Sequence, residues 1–231
     1  MTKFGIIFAL VAGLFPISGM SAQSTGTRLG AKPASAPTGD VSKEDTARVI
    51  MRSFSRCVIG VSPMRVTEYL DTFPASAEAR NLVNILSRDE CLAGGELRFE
   101  EKLFRWATYD ELYNVNFRKF EPSKVTVVAE TDYAALAQGV SADRLQIIAL
   151  WDLGECTVRA APTEADALVK SAIASKAESA AMTAIVPFLG SCVAKDNKIT
   201  FSKAVIRGLL AEALYKIATK AEIVSTAQVK K

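Results

Sequence analysis

Residues 91 to 113, "CLAGGELRFEEKLFRWATYDELY", are echoed by residues 192 to 215, "CVAKDNKITFSKAVIRGLLAEALY". Each copy starts at Cys and passes through a polar loop to a β-like trio ending in Phe. It then runs on with helical spacing, with Arg six positions after the Phe and Tyr fourteen after it. The pairs are Phe99 with Phe201, Arg105 with Arg207, and Tyr113 with Tyr215. The likeness extends backwards. Ser42 stands fifteen residues before Cys57 and Ser141 fifteen before Cys156, and Pro63 or Pro162 follows six residues after each of these cysteines. Glu78 and Glu178 fall in a third helical stretch, and the second Cys comes 34 or 36 residues after the first. Chance would not keep Ser, Cys, Pro, Cys, Phe, Arg and Tyr in one order twice, so the simplest account is tandem duplication of a unit of about 75 residues.

Apolar periodicity assigns each unit four helices. They cover 43–58, 63–71, 76–88 and 100–118 in the first copy and 142–155, 162–173, 176–190 and 202–219 in the second. Ser42 and Ser141 suit the N-cap position, with Asp two or three residues on, and Pro63 and Pro162 suit a first helical turn. The stripe from Val205 through Leu209 and Leu214 to Ile217 is the clearest, while Pro187 predicts a kink or early end in its helix. Between the units, Val125 to Val128 reads equally as a short extended segment or as irregular connector. The fold class is therefore all-α: unit 1 over 42–119, a connector over 120–140, unit 2 over 141–219, and a polar tail over 220–231.

The duplication also chooses among the three ways of pairing four cysteines. A unit that once folded alone had to join its own two, which predicts Cys57 with Cys91 and Cys156 with Cys192. Each loop closed in this way stabilises its unit by about 3–4 kcal/mol in the chain-entropy account. A metal site is the rival, but it needs close spacing, and the chain has no CxxC and no His.

Disulfides need an oxidising compartment, and the N-terminus supplies the route. "MTKFGIIFALVAGLFPISGMSAQS" places one Lys before an apolar run from Phe4 to Ile17, then small residues: a secretory signal over 1–22, cut near Ser21 or Ala22. Its fourteen apolar residues fall short of the roughly 20 that a spanning helix needs, and no later segment spans. Residues 23–41, rich in Gly, Pro, Ser, Thr and Ala, read as a flexible leader. Removing Lys3 lowers the formal charge from +3 to +2. A nearly neutral chain lacks the footprint of nucleic-acid binding, and "RVIMRSFSR", with arginines four apart, reads as a solvated helix face.

Without His, Ser-His and Cys-His schemes and imidazole ligation fall away, and no SxxK, GxSxG or Gly-rich phosphate loop occurs. No catalytic residue, metal site or cofactor is assigned. Carboxylate chemistry survives on paper at Glu100 and Glu101 or Asp110 and Glu111, but adjacent residues on a helix point in different directions. Retention of Arg105 with Arg207 and of Asp110 with Glu212 points to braces that two copies of one fold both need. The tyrosines read as packing with the hydroxyl at the rim, and Phe99 and Phe201 as core anchors. Trp106 and Trp151 have no aromatic counterpart: Gly208 stands opposite the first, and Met51 or Arg52 near the second. Trp106 is therefore the candidate for a partner surface, with Trp151 read as core.

"LGECTVR" followed by a Pro-initiated helix, and "ITFSKAVIRGLLAEALY" after a Cys, resemble a family of exported bacterial proteins of uncharacterised activity. That family carries a GEC-type and an RGALAEALY-type pair, often twice. The resemblance covers nearly the whole mature chain. It implies a periplasmic or secreted helical protein with paired cysteines, and it assigns no functional residues. Unit 1 departs from the pattern with "SRC" and "FRWATYDELY", which makes it the place for specialised contacts. Two functions are compatible with these readings. One is a non-enzymatic envelope protein that binds a protein partner or a small apolar ligand at the seam between units. The other is a His-free hydrolase working through carboxylates.

Overall fold

A computed structural model of the protein describes residues 42–87, 89–92, 97–193 and 200–229; the expected signal and leader lie outside them. Among the described residues the chain is helical, with no strand. The first succession is α1 (Lys43–Val61), α2 (Pro63–Asp71), α3 (Ala77–Leu86) and α4 (Glu101–Asn116). The second is α6 (Ala142–Ala160), α7 (Pro162–Lys170), α8 (Lys176–Ser191) and α9 (Lys203–Val229), with the short α5 (Tyr133–Leu136) between them.

Local chemistry sets these limits. Ser42, Ser76 and Ser175 each accept from the backbone N–H three residues on, satisfying donors that a helix N-terminus leaves open. α1 and α6 both run 19 residues, past Cys57 and Cys156, and each breaks just before a proline that opens the next helix. α8 runs through the exposed Pro187 to Ser191, so that proline does not end it early. α9 extends ten residues beyond the expected 219, because 220–229 continues in helix-compatible residues and Ala221 is still buried. The connector's valines form no strand: 122–127 is a 3₁₀ turn, with Val125 and Val128 buried. Arg159 of α6 donates to the carbonyls of Val125, Val128 and Ala129, which removes any need for a partner strand.

Cys57 is bonded to Cys91 and Cys156 to Cys192. Residues of the two successions correspond at a separation of 99 from Ser42 and Ser141 onward, and of 102 from Phe99 and Phe201 onward. Ala75 and Ala174, counterparts at the 99-residue separation, are the described non-glycine residues with positive φ, at 58° and 64°. A left-handed alanine costs on the order of 1 kcal/mol, so both bends need outside support.

α4 and α9 cross at the centre, α1 packs on α4, and α6 packs on α9. At the crossing Trp106 lies directly on Gly208: a Cβ built on that glycine would fall 2.5 Å from Trp106 Cβ. One cluster of buried residues joins Met51, Phe54, Val58, Tyr69, Leu86 and Phe104. The other runs along α9 from Ile206 to Ala221 and takes in Trp106, Tyr109 and Tyr113 of α4. Half-buried Leu70 touches both. Phe99 meets Phe54 and Phe104 with tilted rings, and Phe201 is half-buried against the second cluster.

Candidate functional site

The repeated arginines end the second helix of each succession. Arg105 donates to the carbonyls of Tyr69, Leu70 and Thr72. Arg207 donates to those of Leu168, Val169 and Ser171, the counterparts of the same three residues. One guanidinium fork thus satisfies the carbonyls that a helix C-terminus leaves open.

Their remaining partners differ. Arg207 also bonds Asp110 of α4 at 2.9 Å and Glu178 of α8 at 2.9 Å. Glu178 in turn accepts from Arg48 of α1, which also bonds Asp45 at 2.8 Å. Four residues along α1, Arg52 joins Arg56 on Glu111. The arginine face of α1 is therefore not a solvated face, which corrects the sequence reading: Arg48 is 8 % exposed and ties the first succession to the second, while Arg56 alone of the three reaches out. Three buried carboxylates, Asp110, Glu111 and Glu178, and the half-buried Asp45 meet these arginines because a buried charge without a partner is costly. Burial pushes Glu178 and Glu111 upward, but their guanidinium hydrogen bonds outweigh it and hold both below the ordinary 4.5. They sit there as anionic acceptors.

The bends are supported from different directions. Glu178 also accepts from the Ala174 N–H at 2.9 Å, while the Ala75 N–H donates to Glu101 of α4 at 2.9 Å. The counterpart of Glu101 is Lys203 and that of Glu178 is Ala79, so one requirement is met by two unrelated positions.

Trp106, expected at a partner surface, lies in the interior. It is 8 % exposed, packs on Gly208, and donates its Nε1–H to Glu212 at 3.1 Å. Trp106 is buried because an indole opposite a glycine fills the gap the glycine leaves. Tyr113 is wholly buried and donates to Asp166 of α7, which together with burial pushes its hydroxyl upward. Tyr215 remains half-buried.

Tyr215 faces a groove of about 800 Å³ between α2, α4, α6 and α9, at the seam of the two successions. Four aromatics line it: Phe73 meets Trp151 edge-on at 5.3 Å, and Tyr109 meets Tyr215 at 5.4 Å. Lys216 Nζ lies 4.3 Å above the Trp151 ring and bonds Glu212 at 2.6 Å. Lys220 stands exposed at the rim. Arg105 also lines the groove, and its Nε is buried with no acceptor. Such a groove can take an apolar body and an acceptor group together. Trp151, read from sequence as core, is half-buried here, and Phe73, Tyr109 and Lys216 carried no sequence signal because they come from three separate elements. Among the described residues no cluster of His, Cys, Asp and Glu could hold a metal.

Compared with family models, curated proteins and solved structures, the chain matches none.

Proposed function

We propose that this chain is an exported, non-enzymatic helical protein, built by tandem duplication of a four-helix unit, that binds a small and largely apolar ligand in the seam groove. The groove carries the reading. Its volume of about 800 Å³ lies within the roughly 300–1,000 Å³ typical of small-molecule pockets. Aromatic walls, a lysine over Trp151 and Lys220 at the rim favour an apolar ligand with one acidic or carbonyl group. Two disulfides support residence in an oxidising compartment, periplasmic or external, and among the described residues no helix is long and apolar enough to cross a membrane. The recurring arginine clasp and the paired positive-φ alanines support the duplication.

A hydrolase acting through carboxylates would need a carboxyl free of fixed cations. Asp110, Glu111, Glu155 and Glu178 each accept from a guanidinium, so no observation favours that reading.

The test is native mass spectrometry of protein isolated from the exported fraction, followed by solvent extraction. The expected result is a small molecule that leaves with the protein and is lost in Trp151→Ala while both disulfides remain. A bare chain with a protein partner bound across the groove would replace this reading with a docking surface.

A further inference from the structure

A second cavity lies on the opposite side of α4 from the groove, between α1, α4 and α9. It measures about 100 Å³ and is lined by Met51, Phe99, Leu103, Trp106, Ala107 and Ala204 among others. α6, α4 and α9 enclose a smaller one of about 20 Å³. Each residue lining the smaller cavity is the counterpart of a residue lining the larger, so the two are one space seen in the two halves. They differ in filling. The smaller holds Trp151, Leu209 and Lys102 where the larger has Arg52, Ala107 and Ala204. Trp106 lines both, while its counterpart Gly208 puts no side chain into the larger.

We infer that the larger cavity is a binding site for a compact planar aromatic ring, distinct from the groove. The counterpart space shows which chemistry the site accepts, since indoles and a leucine line it, with the exposed Lys102 at its edge. The charged residues at the edge turn to each other: Arg48 to Glu178, Arg207 to Asp110, and Arg52 to Glu111. What they leave between them is apolar wall, with the exposed Arg98 also on the lining, so the seated group is neutral. A dry apolar cavity of about 150 Å³ is known to take benzene, so a somewhat smaller one that opens outward suits a single ring with any substituent directed away. The site stands on α4 residues 103, 106, 107 and 110, whereas the groove uses 105, 109, 112 and 116.

The probe is indole, titrated into the oxidised mature chain and followed by NMR and calorimetry. Saturable binding is expected, with a shifted Trp106 Nε1–H resonance and intermolecular NOEs to the Met51 methyl. Ala107→Leu copies Leu209 of the filled cavity and should weaken binding by about tenfold or more with its disulfides intact. Ala204→Met serves the same purpose from the rim if Ala107→Leu does not fold, and the NOEs of the parent chain decide independently of either variant. Indole binding that survives Ala107→Leu but is lost in Trp151→Ala would place the ring in the groove and overturn the inference. Absence of saturable binding, or of any NOE to Met51, would overturn it as well.

Discussion

The two halves of this molecule meet the same three requirements, one with the same residue and two with different ones. Both must close the second helix, support a left-handed alanine and fill the space beside the α4–α9 crossing. The first requirement is met identically, by Arg105 and Arg207, because only a planar fork reaches three carbonyls at once. The second is met by Glu101 from α4 in one half and Glu178 from α8 in the other. The third is met by indoles on one side and left open on the other. Geometry that admits one solution keeps its residue, and geometry that admits several lets the residues drift.

The sharpest way to break this comparison is to remove both arginines in turn. Arg207→Ala takes from buried Asp110 its nearest guanidinium and from Glu178 one of two, and should cost about 3–5 kcal/mol. Arg105→Ala removes mainly carbonyl bonds and should cost about 1–3 kcal/mol. Denaturant midpoints compare them, and equal losses would show that the ion network adds nothing to the shared clasp. Next in size is Gly208→Ala, whose methyl would press on Trp106. Overpacking of this kind costs about 1–3 kcal/mol, and thermal melts should show Trp106→Ala relieving part of it in the double variant.

The smallest effect at neutral pH is the acid one. Glu178 and Glu111 are held below their ordinary value of 4.5 in the folded chain, so the unfolded chain binds more protons as pH falls. Their stabilisation is complete above that value and is lost as pH drops through the lower folded-state values. Urea midpoints should fall between pH 5 and pH 3, in the range of roughly one to two units in which paired carboxylates lose their charge. Glu178→Gln should flatten the dependence. An unchanged slope would assign the acid sensitivity elsewhere.

Helix order, disulfide partners and the Ser42 cap were legible because they depend on short-range spacing, whereas Ser141 makes no side-chain cap bond and the caps Ser76 and Ser175 carried no separate signal. The ion network was not legible either. Arg48, Arg52 and Arg56 are spaced as any solvated face would be, and nothing local reveals that Glu178 arrives from 130 positions away. The groove was hidden for the same reason, since Phe73, Tyr109, Trp151 and Tyr215 come together only when α2, α4, α6 and α9 do. Trp106 was legible as an oddity. Its burial depends on Gly208, and one unit read alone cannot show that contact.

That contact also bears on assembly. Trp106 and Gly208 are counterparts that touch each other, which is the relation a two-fold axis creates between identical subunits. A homodimer of either half could not reproduce it: the axis would set tryptophan against tryptophan or glycine against glycine, a collision in one case and a void in the other. Two unequal halves put a large residue on one side of this contact and nothing on the other. By the same logic, separately expressed halves should prefer each other to themselves, with the indole adding shape to the ion pairs that already cross between them.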